Sequence, residues 1–289
     1  MGAPEAEEPF MIVVTGATGN VGRVLVGALA AAGEQVTAVS RGTLPVSIPE
    51  GARHQQADLA EPETLRPVVD GARALFLLVA GAGAHLSPGD ILDVAKAGGV
   101  ERIVLLSSQA AGTRPQSVSH APLRGIEEVV QRSGMAWTIL RPGGFASNAY
   151  AWAEPVRTQR TVAAPFGDVG LPVVDPTDIA EVAAMVLRED QHAGRIYELT
   201  GPALTTPRQR AHSIGEALGR PVRFVEQTHD EARAQMMQFM PEPVVDGTLA
   251  ILGEPTPAEQ RISIHTEQIL GRPARTFDDW AQRHIHAFR

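Results

Sequence analysis

Three glycines at intervals of three follow the first apolar run of the chain. The stretch TGATGNVGR covers residues 15–23 and contains Gly16, Gly19 and Gly22, directly after FMIVV. The residues that follow have apolar side chains at helical spacing up to Gly33. A glycine turn between a strand and a helix lets the backbone approach a phosphate, because free N–H groups and the positive end of the helix dipole meet there. The pattern therefore predicts a turn that binds the pyrophosphate of a dinucleotide.

The end of the next predicted strand, 35–41, indicates which dinucleotide binds. An Asp or Glu there would bind the ribose 2′-hydroxyl of NAD. This strand ends instead in Ser40 and Arg41, and a guanidinium can bind a 2′-phosphate with two hydrogen bonds. We therefore expect NADPH/NADP+ as the cofactor, with Arg41 on its 2′-phosphate and Asp58 near the adenine amino group. The alternatives are a solvated loop arginine and an ordinary turn aspartate.

Strands and helices alternate through the first half of the sequence. Strands are predicted at 35–41, 53–59, 73–80, 102–108 and 136–142, and helices at 20–33, 62–71, 87–99 and 122–134. This order predicts an α/β protein with a Rossmann-type, doubly wound parallel sheet and a smaller C-terminal substrate-binding lobe. The expected divisions are a disordered tail at 1–9, an NADP(H)-binding domain at 10–145 that 173–201 rejoins, and a lobe or lid at 146–172 and 202–289.

Composition narrows the function classes. The 289 residues carry a net charge of −8, which argues against a nucleic-acid-binding surface. The sequence has no cysteine, which excludes disulfides, thiol catalysis and cysteine metal sites. No apolar run approaches the roughly 18 residues that a membrane span needs. We expect a cytoplasmic protein without a metal site that acts on a small molecule and binds neither nucleic acid nor membrane.

Several segments resemble one branch of a known family. They are TGATGNVGR at 15–23, ADL at 57–59, LLSS at 105–108, SGMAWTILRPGGFASN at 133–148 and VDPTDIAEVAAMVL at 174–187. Together they resemble the atypical short-chain dehydrogenases of the NmrA-like branch, close to isoflavone-reductase-like and azoreductase-like enzymes. The resemblance runs from about residue 11 to 285 and implies a Rossmann fold, NADP(H) and a monomer or homodimer, but no particular substrate.

The resemblance also implies which positions contact the cofactor. The pyrophosphate positions are Gly16, Ala17, Thr18, Gly19, Asn20, Val21 and Gly22; the adenosine positions are Ser40, Arg41, Asp58, Leu59, Val79, Ala80 and Gly81; the positions beside the nicotinamide are Pro142, Gly143, Gly144 and Phe145.

The sequence departs from the family at the proton donor. Most relatives with dehydrogenase activity use Tyr-x-x-x-Lys, in which the tyrosine protonates the substrate oxygen. Lys96 is the only lysine here, and neither Tyr150 nor Tyr197 precedes it by four residues. The corresponding helix reads HAPLRGIEEVVQ, with Leu123 and Glu127 near the two expected positions. The pair is therefore absent.

Weaker donors remain as candidate catalytic groups. They are Ser108, Ser107, His120, Tyr150 and water. Ser108 is the preferred orienter, because the second serine after this strand matches the hydroxyl position of the family. The alternatives are a serine that caps a turn, a surface-loop histidine and a tyrosine that only packs.

A methionine-rich stretch in the predicted lobe indicates where a substrate binds. Met236, Met237, Phe239 and Met240 lie close together in the sequence, and methionine adapts to flat apolar ligands. These residues form either a lid over an aromatic substrate or the core of the lobe.

The sequence therefore predicts an NADPH-dependent reductase for a ketone or quinone of a bulky aromatic, polyketide-type natural product, as in antibiotic biosynthesis. A hydroxyl of the substrate itself would share the developing negative charge, so a strong acid is less needed. One alternative is a non-catalytic NADP(H) redox sensor with a protein partner, as among NmrA-like regulators. Another is an isomerase or epimerase that uses the cofactor transiently.

Overall fold

The computed structural model describes residues 10–42, 48–79, 83 and 85–289. The tail predicted at 1–9 lies outside the described residues, as do Ala80 and Gly81. The strands are β1 Met11–Val14, β2 Gln35–Ser40, β3 Ala52–Gln56, β4 Ala74–Leu78, β5 Arg102–Leu106, β6 Ala136–Pro142, β7 Thr161–Ala164, β8 Arg195–Leu199 and β9 Arg223–Glu226. The helices are α1 Gly22–Ala31, α2 Arg66–Val69, α3 Pro88–Ala97, α4 Gln109–Thr113, α5 Ala121–Arg132, α6 Ala153–Gln159, α7 Pro176–Arg188, α8 Pro207–Leu218, α9 His229–Met236, α10 Glu242–Gly253, α11 His265–Leu270 and α12 Phe277–Arg283.

The central sheet has the order β3-β2-β1-β4-β5-β6-β8. Each pairing from β3 across to β6 is parallel, so the carboxyl ends of these strands share one edge of the sheet. The apolar run of β1 explains its central place, because Ile12, Val13 and Val14 are fully buried. This architecture confirms the predicted Rossmann-type α/β fold.

The chain forms two compact units, which are described separately. The first unit comprises the described residues up to 107 together with 125–140 and 180–196. Its core includes the fully buried side chains of Leu25, Leu75 and Ile103. The alternation of apolar strands and amphipathic helices accounts for this unit.

The second unit comprises residues 108–124, 141–179 and 197–289. It contains the parallel pair β7 and β9 and a core around Trp280, Phe277 and Phe288. Two buried aspartates bind arginines of the C-terminal segment: Asp178 accepts a hydrogen bond from Arg272 at 2.7 Å and others from Arg275, and Asp175 pairs with Arg283.

Some predicted elements are shorter than expected. The helix predicted at 62–71 is a 3-10 helix, Pro62–Leu65, followed by the single turn of α2. Helix α9 begins at a capping box of Thr228 and Glu231 and ends at Met236, the first residue of the methionine-rich stretch. The strand β6 has the predicted bounds.

Candidate functional site

In the glycine turn of the first unit, Gly16 and Gly22 stand at positions with no room for a side chain. Gly16 has a φ of +65°, and a Cβ there would lie 2.9 Å from the side chain of Leu78. A Cβ on Gly22, the first residue of α1, would overlap the carbonyl oxygen of Gly16. The N–H of Gly19 donates to that same carbonyl at 3.0 Å, which closes the turn. The cradle therefore leaves its backbone open to a ligand, and it fits the pyrophosphate of a dinucleotide.

Hydrogen bonds fix this turn to the neighbouring strands. The hydroxyl of Thr15 donates to Phe76 O at 3.0 Å and accepts from Leu78 N–H at 2.8 Å, both on β4. The N–H of Ala17 donates to Val39 O of β2 at 3.1 Å. The turn is thus held at the carboxyl ends of β1, β2 and β4, where open α/β sheets bind ligands.

A cavity of about 240 Å³ lies beside the turn. Its lining contains seven of the predicted cofactor positions together with Thr15, Val39, Ala57, Leu78, His85 and Leu86. The seven are Gly16, Thr18, Gly19, Ser40, Arg41, Asp58 and Leu59. Of the remaining predicted positions on this unit, Ala17 and Val21 are buried, Asn20 is exposed, and Val79 follows β4.

The end of β2 is fixed by polar contacts that the sequence did not indicate. The Ser40 hydroxyl donates to Gly42 O at 2.6 Å, and its oxygen lies 2.9 Å from Nε2 of His54. The side-chain amide of Gln56 donates to Arg41 O at 2.7 Å. Among the described residues, no carboxylate pairs with the exposed guanidinium of Arg41. A cation held at the cavity without an acidic partner suits an anionic group of the ligand.

Asp58 lies at the cavity and also has the local contact of an ordinary turn aspartate. It lines the cavity, and its Oδ1 also accepts a hydrogen bond from Ala60 N–H at 3.0 Å, as a turn aspartate does. The assignment of Asp58 to the adenine amino group stays a prediction.

The two serines after β5 have different partners. The Ser107 hydroxyl donates to the buried carboxylate of Glu127 at 2.5 Å, within the first unit. In the second unit, Ser108 caps α4, since its hydroxyl oxygen accepts from Ala110 N–H at 3.3 Å. An oxygen that accepts a capping bond keeps its own hydrogen for donation.

The segment predicted to border the nicotinamide is tied down through its backbone. In the second unit, Gly143 N–H donates to Leu199 O at 2.9 Å, and Gly144 O accepts from Val174 N–H at 2.8 Å. Phe145 forms a β-bridge with Val174. Pro142, the last residue of β6, is buried.

Tyr150 belongs to an aromatic cluster of the second unit. Its ring lies 5.1 Å from that of Trp280, edge to face, and 6.3 Å from that of Phe288. Such packing favours the structural alternative for this residue.

His120 lies in a polar cluster just before α5. Its Nδ1 atom is 3.2 Å from the Ser117 hydroxyl oxygen and 3.1 Å from that of Ser119. Burial lowers the pKa of His120 below its ordinary value of 6.5, and the charge of Arg124 lowers it further. Neither serine was singled out from the sequence, because serines in a loop carry no periodic signal.

The methionine-rich stretch divides into a packed and an exposed part. Met236 and Met240 pack with Phe166 against a small core of Ala232, Val245 and Leu249. Met237 is 40% exposed and Phe239 is 67% exposed. Met236 and Met240 thus belong to a small core of the second unit, and a lid role for Met237 and Phe239 stays a prediction.

Within the described ranges, no helix has the length and apolar character that crossing a membrane requires. The same residues bring together no group of three or more His, Asp or Glu side chains that would hold a metal ion.

Comparisons with known proteins place the chain in a family. The family model described as NAD(P)H-binding matches residues 16–190. The (4-alkanoyl-5-oxo-2,5-dihydrofuran-3-yl)methyl phosphate reductase of Streptomyces griseus subsp. griseus is 36% identical over 292 residues, covering 96% of this chain and 99% of that protein. The chain belongs to this NAD(P)H-binding family of reductases.

Two further proteins resemble this reductase along most of its length. The NAD(P)H azoreductase of Xenophilus azovorans is 31% identical over 290 residues, covering 96% of this chain and 99% of that protein. The quinone oxidoreductase QOR2 of Escherichia coli, solved with NADPH, has a TM-score of 0.78 at 24% identity and covers 94% of this chain and 99% of its own. The predicted family and the predicted NADPH/NADP+ cofactor are confirmed.

Proposed function

We propose that this NmrA-like reductase uses NADPH to reduce a ketone or quinone of a bulky aromatic natural product, without a Tyr-x-x-x-Lys pair. One observation supports the use of NADPH as the cofactor. The open glycine cradle of the first unit adjoins a cavity that Arg41 lines, and no described carboxylate pairs with that guanidinium. When bound there, NADPH supplies a hydride.

The chain's own residues supply binding and orientation. The backbone of Gly16 to Gly22 would bind the pyrophosphate, and the exposed guanidinium of Arg41 would bind the 2′-phosphate. The exposed Met237 and Phe239 of the second unit present a soft apolar surface that suits a flat aromatic ring. A substrate with its own hydroxyl beside the carbonyl would delocalise the charge that forms on oxygen.

The test is NADPH consumption, measured at 340 nm without oxygen. The acceptors would be hydroxylated aromatic ketones, quinones, an azo dye and an unsaturated furanone phosphate, since relatives are named for the last three classes. We expect protein-dependent NADPH loss with a reduced product, fastest with aromatic ketones or quinones that carry an adjacent hydroxyl.

Two results would contradict the proposal. If the protein reduces only the furanone phosphate, the proposed aromatic ketone or quinone is the wrong substrate class. If the protein binds NADPH tightly but reduces none of the acceptors, it is better described as a redox sensor. A search for a protein partner would then follow.

A further inference from the structure

Arg210 of α8 is a buried arginine on the helix face that packs into the second unit. Pro207, Ala211 and Ile214 lie on the same face and are also buried. Because residues three or four apart share one face of a helix, hydrophobic periodicity favours an apolar side chain at position 210. Arg210 is nevertheless only 8% exposed. Arginine is rarely buried to this extent unless a partner neutralises its charge.

No carboxylate of the described residues pairs with the Arg210 guanidinium. Its Nε atom lies 3.5 Å from Thr206 O, a distance at which a hydrogen bond is weak. That oxygen already accepts a backbone hydrogen bond from Arg210 N–H at 2.9 Å. The other contact is with Trp152, whose ring centroid lies 5.5 Å from Arg210 Cζ. Within the described part of the chain, the two Nη atoms therefore have no hydrogen-bond acceptor.

The position of Arg210 leaves its positive charge uncompensated. Burial lowers the pKa of Arg210 to about 10, so the guanidinium is still cationic at neutral pH. The side chain leans toward the N-terminus of α8, as its contact with Thr206 shows, and this end of a helix dipole is itself positive. A buried cation without a counter-charge destabilises a fold unless a ligand supplies the negative charge.

The terminal nitrogens of Arg210 remain accessible to solvent. In the described ranges, the side-chain nitrogen and oxygen atoms that are sealed from solvent and lack a partner are Glu34 Oε2 and Thr266 Oγ1. The unbonded Nη atoms of Arg210 are not among them, so they lie at the small exposed part of this residue. Trp152 beside them is partly exposed. A small ligand can therefore reach the edge of the guanidinium.

Arg208, two residues earlier on α8, has the usual arrangement of a surface arginine. Its Nε donates to Asp168 Oδ1 at 3.0 Å, and its Nη2 donates to Glu226 Oε2 at 3.0 Å. Its Cζ also lies over an aromatic ring, that of Phe224, at 4.6 Å from the centroid. The two arginines thus share a helix and an aromatic neighbour, but Arg208 has carboxylate partners and Arg210 has none in the described structure.

We propose that Arg210 is the centre of an oxyanion-binding site in the second unit, which takes the phosphate or carboxylate group of a small molecule. The planar guanidinium presents its Nη atoms as a fork that matches two oxygens of either group. The contact with Trp152 fixes the guanidinium from one side and leaves its edge to the ligand. This site is additional to the proposed reduction of a ketone or quinone, which needs no charged group on the acceptor.

Ligand binding to the full-length protein tests the site. NADP+ is kept at a saturating concentration, so that the cofactor cavity is filled and Arg41 does not bind the probe. The probes are phenyl phosphate, benzoate and inorganic phosphate, and phenol is the uncharged control. Calorimetry measures each Kd. We expect phenyl phosphate, benzoate or both to bind, and phenol not to bind. Binding of neither organic anion, or of inorganic phosphate alone, would overturn the proposal.

Variants of α8 locate the bound anion. Arg210→Met should raise the Kd of the anion about 100-fold, because charge-assisted hydrogen bonds are lost. Arg210→Lys keeps the charge without the planar fork and should raise it only about 10-fold. The matched control Arg208→Met removes a paired arginine and should change the Kd by about twofold or less. Equal losses in Arg208→Met and Arg210→Met, or no loss in Arg210→Met, would overturn the site.

Urea unfolding separates a ligand-binding arginine from a structural one. Methionine keeps an unbranched apolar stem and removes the unpaired charge, and such replacements of buried ions are often neutral or stabilising. We therefore expect the unfolding midpoint of Arg210→Met to equal or exceed that of the wild type without a probe. The bound anion should raise the midpoint of the wild type only. A midpoint that falls in Arg210→Met would show that the guanidinium stabilises the fold by itself, which contradicts the proposal.

NMR of the wild type gives a measurement that does not depend on the folding of Arg210→Met. In ¹⁵N-arginine-labelled protein, the Nε signal of Arg210 is identified by its absence from Arg210→Lys. We expect this signal to shift when the anion is added, while the Nε signal of Arg208 stays in place. A shift of neither signal, or of Arg208 alone, would overturn the site. None of these measurements needs turnover, so they stand apart from the test of the reductase function.

Discussion

Arg41 decides the choice between NADPH and NADH at the scale of one residue. The Arg41→Ala change removes a guanidinium that lines the cavity and that no described carboxylate neutralises. A charge-assisted hydrogen bond contributes about 1.5–3 kcal/mol, so we expect the Kd for NADPH to rise about 10- to 100-fold. The Kd for NADH should stay within about threefold, since NADH has no 2′-phosphate. Isothermal titration with both cofactors measures the difference.

The matched control for that change is Arg66→Ala. Arg66 is exposed, pairs with Glu63 at 2.9 Å and lies outside the cavity lining. Its loss should leave both cofactor affinities unchanged. Equal weakening of NADPH and NADH by Arg41→Ala would contradict the assignment to the 2′-phosphate.

Single residues also show which features of the site could be predicted from the sequence and which could not. The glycine spacing and the missing carboxylate at the end of β2 were readable, because each reflects local backbone geometry or local charge. The roles of the two adjacent serines were not. Ser107 finds Glu127 20 residues later in the chain, whereas Ser108 bonds only two residues ahead. Hydrogen-bond partners of this kind cannot be predicted from the spacing of residues in the sequence.

In helix α1, the structure requires glycine at position 22, beside the turn, but not at position 27. A methyl group on Gly22 would overlap the backbone carbonyl of Gly16, so Gly22→Ala must shift the turn. We expect NADPH affinity to fall about 100-fold or more while the fold is kept, because the pyrophosphate cradle is made of backbone groups. Cofactor titration and circular dichroism measure the two effects.

The helix contains its own control. Gly27 lies in the interior of α1 and has no atom within 4 Å of a built Cβ. Gly27→Ala should raise the free energy of unfolding by about 0.5–1 kcal/mol and leave NADPH binding unchanged. Similar losses of affinity in both variants would mean that the turn does not carry the cofactor.

Elements were predictable where hydrophobic periodicity is strong. Strand β6 has the predicted bounds, and α1 and β2 differ from theirs by a few residues. The short helices α11 and α12 were not predicted, because six or seven residues carry little periodic signal. Their segment is held by ion pairs such as that of Arg272 with Asp178, which are 94 residues apart.

At the scale of the whole chain, charge pairs between distant segments hold the second unit. Arg114 donates from Nε to Glu259 Oε1 at 2.7 Å and from Nη2 to Glu259 Oε2 at 2.9 Å, across 145 residues. Thr113 and Thr256 also donate to this carboxylate, whose side chain is only 2% exposed. A buried carboxylate with four donors ties the segment after α10 to the end of α4.

Glu259 should therefore make the stability of the molecule depend on acid pH. Burial raises the pKa of Glu259, but the hydrogen bonds from Arg114, Thr256 and Thr113 outweigh it and hold the pKa below 4.5. The contribution is thus fully present above pH 4.5 and is lost as the pH falls through the lowered folded-state pKa. Glu259→Gln should lower the free energy of unfolding by about 3 kcal/mol at pH 7, because it leaves Arg114 without its anion. Urea unfolding at neutral pH and below pH 4.5 should show this difference shrinking in acid, whereas the exposed Glu267→Gln changes stability by about 0.5 kcal/mol or less throughout. A difference that persists unchanged in acid would show that shape, not charge, holds this segment.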